Sequence, residues 1–277
     1  MPRFLMVGLL LSSFGLALTS AVQKSPTMDE QNHIARGATY LGTGDPRLSV
    51  EHPPLINVLS ALPPHLLLDL ELPLDTIWWE AGEWYHFAES FLWNANQYPD
   101  RIVFLARLPI IGIGLVMAAL GFRWAGARFG PWGGLLAALF CALDPNVLAH
   151  ERLATTDIGG TFFVFLAAYV FWRKFRQPSL TGTVLAGLAL GLAFIAKLSA
   201  LIFGPILALT IFSDDVLVGS GRVRHLLRRI GLLTGVAALA AFVVWASYGF
   251  QIGSLESIAA SVPAPPYVRG VQAVLDL

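Results

Sequence analysis

Long apolar runs constrain this chain more than any other feature. A helix needs about 20 mostly apolar residues to cross a bilayer. Seven stretches meet or approach that length: 4–22, 102–122, 131–149, 158–172, 180–196, 198–213 and 230–249. The fourth and sixth are short, and the fifth and sixth are separated only by Lys197, so a tight turn is expected there. Only 13% of the 277 residues are charged, against about 25% in a soluble domain. These runs predict an all-α polytopic membrane protein with about seven transmembrane helices, read as one domain over 1–277. The first run follows Arg3 and precedes "LTSAVQ", so a secretory signal peptide is the alternative to a retained helix. The lone cysteine, Cys141, excludes an internal disulfide framework.

Basic residues orient the spans. Seven alternating spans place Arg3, Arg123, Arg128, Arg173, Lys174, Arg176, Arg222, Arg224, Arg228 and Arg229 on one side, which is then the cytoplasm. The N-terminus is cytoplasmic in this reading. The opposite side receives the 23–101 loop, with eleven acids against four basic residues. For a bacterial chain that side is the periplasm and the membrane the inner one. ATP and nucleotide sugars are scarce there, so chemistry on that face needs a substrate delivered through or within the membrane.

The loop has its own structure. Thr27 followed by Glu30 fits a capping box, predicting a helix over 28–41 that stops at Gly42. Asp29, His33 and Arg36 or Gly37 then share one face. "GTGDP" reads as a turn, and "VEHPPL" as stiff, extended backbone. The stretches 56–68 and 76–95, the second carrying Trp78, Trp79, Trp84, Tyr85 and Trp93, read as helices lying on the outer membrane surface. An acid-rich outer loop is ordinarily a solvated surface. The close succession of Asp29, His33, Glu51 and His52 argues for more.

"MDEQNHIARGATYLGTGD" followed by "VEHPPL" resembles the first external loop of the GT-C glycosyltransferases. The nearest groups are the dolichyl-phosphate-mannose protein mannosyltransferases and the bacterial lipid A aminoarabinose transferases. An acidic pair, Asp29-Glu30, follows the first span, and Glu51-His52-Pro53-Pro54-Leu55 supplies the second element. The stretch from "ARLPIIGIG" to "ERLATTD" is similar as well, and "SVPAPPYVRGVQAVL" resembles a segment opening a later external region. Family members are longer, so the chain looks like an amino-terminal half.

The resemblance implies an inverting, mannosyltransferase-like enzyme with an active site on the periplasmic face. It would move a sugar from a polyprenyl-phosphate donor to a protein, lipid or glycan acceptor among membrane lipids, with no nucleotide and no nucleic acid. Such transfer needs a positioned carboxylate and a stabilised leaving phosphate. By position in the motif Asp29 is the first catalytic candidate and Glu30 the second, although Glu30 already has a capping role. His52, Arg107, Lys197 and Asp157 are the candidates for the donor phosphate. An intramembrane arginine such as Arg107 is functional by default, and a phosphate is its natural partner. Lys197 has snorkelling as its bland reading, and Asp157 helix capping. Glu51 and Asp157 are the candidate ligands of a divalent metal: Mg, Mn or Zn. Two other classes stay open: a non-catalytic split subunit or fragment of such an enzyme, and a lipid or solute transporter, against which the absence of an internal repeat argues.

Overall fold

The computed structural model describes residues 1–174, 179–209, 223–255 and 258–276. The described residues are helical apart from one short hairpin, and the architecture is an all-α polytopic membrane fold. They separate into two compact units: Met1–Ser49 with Pro54–Phe162, and Val50–Pro53 with Phe163–Leu277. The division falls inside one helix, between Phe162 and Phe163.

The first unit opens with α1 (Pro2–Gln23), which ends where Lys24 turns extended. α2 (Met28–Thr43) begins at the expected capping box, with Thr27 and Glu30 satisfying each other's backbone N–H groups. It runs past Gly42 and stops at Gly44, whose φ of 71° is the left-handed conformation that ends a helix. α3 (Pro54–Leu67) lies against α2. Their closest approach is at Gly37, where a Cβ would overlap the Asn57 carbonyl.

The expected 76–95 helix is instead α4 (Ile77–Ala81), α5 (Trp84–Glu89) and a π-helical turn (Ser90–Ala95). Gly82 breaks it at φ 66°, and the Glu83 carboxylate caps the restart through the N–H groups of Tyr85 and His86. Its aromatic rings pack inward as well as out: Phe87 and Phe91 are fully buried with Ile34, Ala38 and Ile102 in the unit's core.

α6 (Pro99–Leu143) contains a reversal. Gly130, at φ 76° and ψ 176°, folds 131–143 back along the preceding arm. Gly134 faces the Phe122 carbonyl and the Gly126 Cα, so small residues let the two arms touch. Asp144 ends the return arm and caps α7 (Pro145–Glu151) through the N–H groups of Asn146 and Val147. A sharp bend of 116° leads into α8 (Thr156–Lys174).

The second unit holds the rest of α8, α9 (Leu180–Ala196), a short apolar helix over Leu198–Leu209 that starts as a 3₁₀ turn, and α10 (Val223–Ser247). Gly187 faces Leu239 and Gly191 faces Ala240 and Val243, so the glycines of α9 admit α10 closely. An antiparallel pair, β1 (Ile252–Leu255) and β2 (Ile258–Pro263), leads to α11 (Pro265–Leu275).

By length and composition, three described helices can cross a membrane, or four if the bent α7–α8 pair is one span. The count differs from seven for visible reasons. The second and third candidates are the two arms of α6, and α9 and Leu198–Leu209 are short. Arg176, Arg222 and the sixth candidate beyond Leu209 lie outside the described residues.

Candidate functional site

The start of α2 is locked from below. Arg107, on α6, is 2% exposed and Glu30 fully buried. Arg107 Nε donates to Glu30 Oε1 and Nη2 to Oε2, both at 2.7 Å. The remaining N–H groups donate to carbonyls at the end of α1: Nη1 to Ala21 at 2.6 Å and Lys24 at 2.8 Å, Nη2 to Ser25 at 3.1 Å. Those carbonyls are among the acceptors a helix end leaves without intrahelical partners. All five donors of the guanidinium are used.

Glu30 is equally saturated. It accepts from Arg107, from Thr27 through its N–H (3.0 Å) and hydroxyl (3.2 Å), and from the Ala154 N–H (2.9 Å). Burial pushes the carboxyl up, but Arg107 and the Ala154 and Thr27 N–H groups outweigh it and hold it below the ordinary carboxylate range. Two expectations are corrected on this geometry. Arg107 has no donor left for a phosphate, and Glu30 has neither exposure nor spare proton affinity for a base.

One residue earlier the environment is opposite. Asp29 is exposed, and among the described residues no hydrogen bond or ion pair engages its carboxylate. His33, one turn on, is buried, and its Nδ1 lies 2.9 Å from Asn57 Oδ1. Burial, then the Arg36 charge, push its pKa down to about 4. The ring is therefore neutral near pH 7, with Nδ1–H donating to Asn57. The carboxylates that act on this ring from outside are Asp29 and Asp157. Asp157, in the first turn of α8, accepts from the Thr155 hydroxyl at 3.3 Å and lies 3.5 Å from His150 Nδ1. His150 and Asp157 are both about half exposed.

The charges of Asp29, at the α2 start, and Asp157, at the α8 start, both act on this buried, neutral imidazole. His33 was legible as a face-mate of Asp29 but not as a ring on which the Asp157 charge also acts. His150 read as a solvated group and is Asp157's partner.

Among the described residues no three His, Cys, Asp or Glu side chains converge as metal ligands. A bare carboxylate meets a phosphate only through a shared cation, so Asp157 is not a phosphate ligand by its own chemistry.

The second unit holds the other candidates. Glu51 is exposed and His52 half-buried in the strip Val50–Pro53. α11 packs on this strip at Gly270, where a Cβ would overlap the Val50 carbonyl and crowd Leu198. Lys197, half-buried and extended at the end of α9, is the neighbour of Leu198. The tail helix therefore gathers the His52 strip and the Lys197 turn. The same unit carries an apolar groove of about 640 Å³, lined by Phe171, Phe194, Leu233, Val244, Trp245 and Tyr267. Tyr267 is anchored by its hydroxyl, which donates to the Phe194 carbonyl at 3.3 Å.

Residues 102–248 match the family described as dolichyl-phosphate-mannose-protein mannosyltransferase. The matched segment is more than half of the chain and contains Arg107, Asp157 and Lys197, while Asp29 to His52 precede it. No curated protein and no solved structure matches the chain.

Proposed function

The chain belongs to the dolichyl-phosphate-mannose-protein mannosyltransferase family, membrane glycosyltransferases of the GT-C type, and from that membership we propose that it moves a sugar from a polyprenyl-phosphate donor to an acceptor hydroxyl on the external face, with Asp29 as base. The observation that carries the reading is the different fate of the two adjacent acids. Glu30 is consumed by the lock, whereas Asp29 stands exposed on a helix start that the lock holds in place.

The acceptor oxygen attacks the anomeric carbon, and Asp29 takes its proton. The bond from that carbon to the phosphate oxygen breaks, and the polyprenyl phosphate leaves with the electron pair. One displacement inverts the anomeric centre. His52 and Lys197 hold the phosphate, as donors of the kind a leaving oxyanion needs. Asp157, tied to Thr155 and His150, orients the acceptor. His33, neutral and fixed by Asn57, leaves the Asp29 charge unneutralised.

The test is transfer from a radiolabelled polyprenyl-phosphate sugar by the chain reconstituted in vesicles. Asp29→Asn is expected to remove turnover and leave donor binding intact, and Lys197→Ala to weaken donor binding. Turnover indifferent to Asp29→Asn overturns the base assignment. Donor binding without transfer by the unaltered chain favours the non-catalytic subunit.

A further inference from the structure

A second polar cavity, of about 530 Å³, opens where the outer ends of α1 and α6 meet. Its walls are Ala21, Val22, Gln23, Lys24, Ser25 and Pro26 from one side and Asp100, Arg101, Val103, Phe104 and Arg107 from the other. Arg107 contributes no free donor to it, because all five of its N–H groups are used within the fold. Around the mouth stand Lys24, Asp100 and Arg101, all exposed. Among the described residues none of these three side chains has a hydrogen bond or ion pair. Arg101 also borders the neighbouring cavity that holds Asp69 and Glu71, and it pairs with neither.

Lys24 and Arg101 sit at the ends of two helices long and apolar enough to cross a membrane, and the ends of such helices lie among headgroups. Val22, which is 68% exposed, and Phe104 lie further down the same helices, toward the hydrocarbon. A ligand that fits is anionic above and apolar below. The lining also carries one acid, Asp100, beside its two cations. Two cations suit a phosphodiester; one carboxylate suits a primary ammonium. From Lys24, Arg101 and Asp100 around one amphipathic cavity, we infer that this is a binding site for a phospholipid with a phosphoethanolamine headgroup. Lys24 and Arg101 take the phosphate, Asp100 takes the ammonium, and an acyl chain runs along Val22 and Phe104. The site reads lipid identity through the acid: an anionic glycerol headgroup loses the Asp100 contact, and a trimethylated ammonium cannot donate to it.

The inference is independent of the transfer reaction, and so is its test. The purified full chain in detergent is titrated with phosphatidylethanolamine, phosphatidylglycerol, phosphatidylcholine and polyprenyl phosphate, and bound lipid is counted by native mass spectrometry. The expected result is retention of one phosphatidylethanolamine in preference to the other three. Each basic residue near a lipid surface contributes about fivefold, so Lys24→Ala with Arg101→Ala should weaken retention about 25-fold. Asp100→Asn should erase the preference over phosphatidylglycerol while leaving the phosphate contacts. Among the described residues these side chains make no bonds, and an unchanged melting temperature in each variant verifies that they remain folded. Equal retention by the double variant overturns the site. Equal binding of phosphatidylglycerol or phosphatidylcholine by the unaltered chain overturns the headgroup. Tighter binding of polyprenyl phosphate, lost in the same double variant, gives the cavity to the donor instead.

Discussion

The junction of α1 with α6 and the helix starts that carry Asp29 and Asp157 are built from similar residues and do opposite things. At the junction Arg107 and Glu30 are buried, five donors meet their acceptors, and no group is left over. At the helix starts Asp29 is exposed and Asp157 about half exposed, and the charges of both act on a neutral His33. Asp29 and Glu30 are consecutive, so the helical turn of about 100° per residue is what sends one carboxylate inward and the other out. An acid's role in this chain follows from what its helix face meets, not from its membership of a motif pair. The buried pair is also costly to assemble. What it secures is position: Glu30 ties α2 to α6, to α1 through Arg107, and to the Ala154 turn that precedes Asp157.

The comparison breaks most visibly at Arg107. Arg107→Ala strands a buried carboxylate and three carbonyls, and loss of one partner of a buried pair costs about 3–5 kcal/mol. The variant should fail to accumulate as a monodisperse species in fluorescence-detected size-exclusion chromatography. Asp29→Ala should leave that profile unchanged. An Arg107→Ala chain that is fully stable but poor in donor binding would restore the phosphate role that its hydrogen bonds exclude.

Asp29→Asn is the converse case. Loss of a general base costs about 100- to 10,000-fold in rate, and here the melting temperature should not move. Glu30→Gln should instead lower the melting temperature, because a neutral amide cannot match the guanidinium. If Glu30→Gln lowers turnover at full stability, the roles of the two acids are exchanged.

Acid sharpens the contrast. His33 is held neutral down to about pH 4 in the fold, against 6.5 when unfolded. Between those values the unfolded chain binds a proton that the folded chain refuses, so stability falls as pH falls through that window, by about 3 kcal/mol in all. Glu30 has a depressed pKa, so its contribution is present above 4.5 and is lost below that, as pH falls through its folded value. Unfolding followed against pH should show the upper limb vanish in His33→Gln and the lower limb persist. An upper limb unchanged in His33→Gln would place the acid sensitivity elsewhere.

Much of this was legible in the chain itself. Thr27-x-x-Glu30 is a local pattern, and local chemistry decides it. Gly187 and Gly191 stand in the sequence as small residues within an apolar run, and in the fold they let α9 and α10 approach closely. The return of the chain at Gly130 was marked by a cluster of small and basic residues between two apolar runs. Contacts distant in sequence were not legible. Arg107 reads as a phosphate ligand until Glu30, 77 positions earlier, is seen to occupy it. That the Asp157 charge acts on His33, the face-mate of Asp29, shows only in the fold, where the Ala154 N–H also reaches Glu30. Gly82 was hidden inside an aromatic run with a good helical period, and only its left-handed backbone reveals the break. Likewise the span count came from hydropathy, which measures composition and does not say how long a helix stays straight.

The smallest expected effect lies at the border between the two regions. Thr27 accepts from the Glu30 N–H at 3.4 Å and donates its hydroxyl to Glu30 Oε2 at 3.2 Å. It belongs to the lock, yet it stands two residues from Asp29. Thr27→Ala removes one cap acceptor and one of the bonds to Glu30, and such caps are worth about 1 kcal/mol. Arg107 and Ala154 still hold the carboxylate, so the helix start should loosen without releasing. The melting temperature should fall by a few degrees, and Thr27→Ser should recover it, because the hydroxyl and not the methyl makes both bonds. Turnover measures how far the lock positions the base. If preorganisation of Asp29 depends on the cap, turnover falls with KM unchanged, by far less than in Asp29→Asn, and returns in Thr27→Ser. If turnover stays level while the melting temperature drops, Arg107 and Ala154 alone aim the helix, and the cap serves stability only.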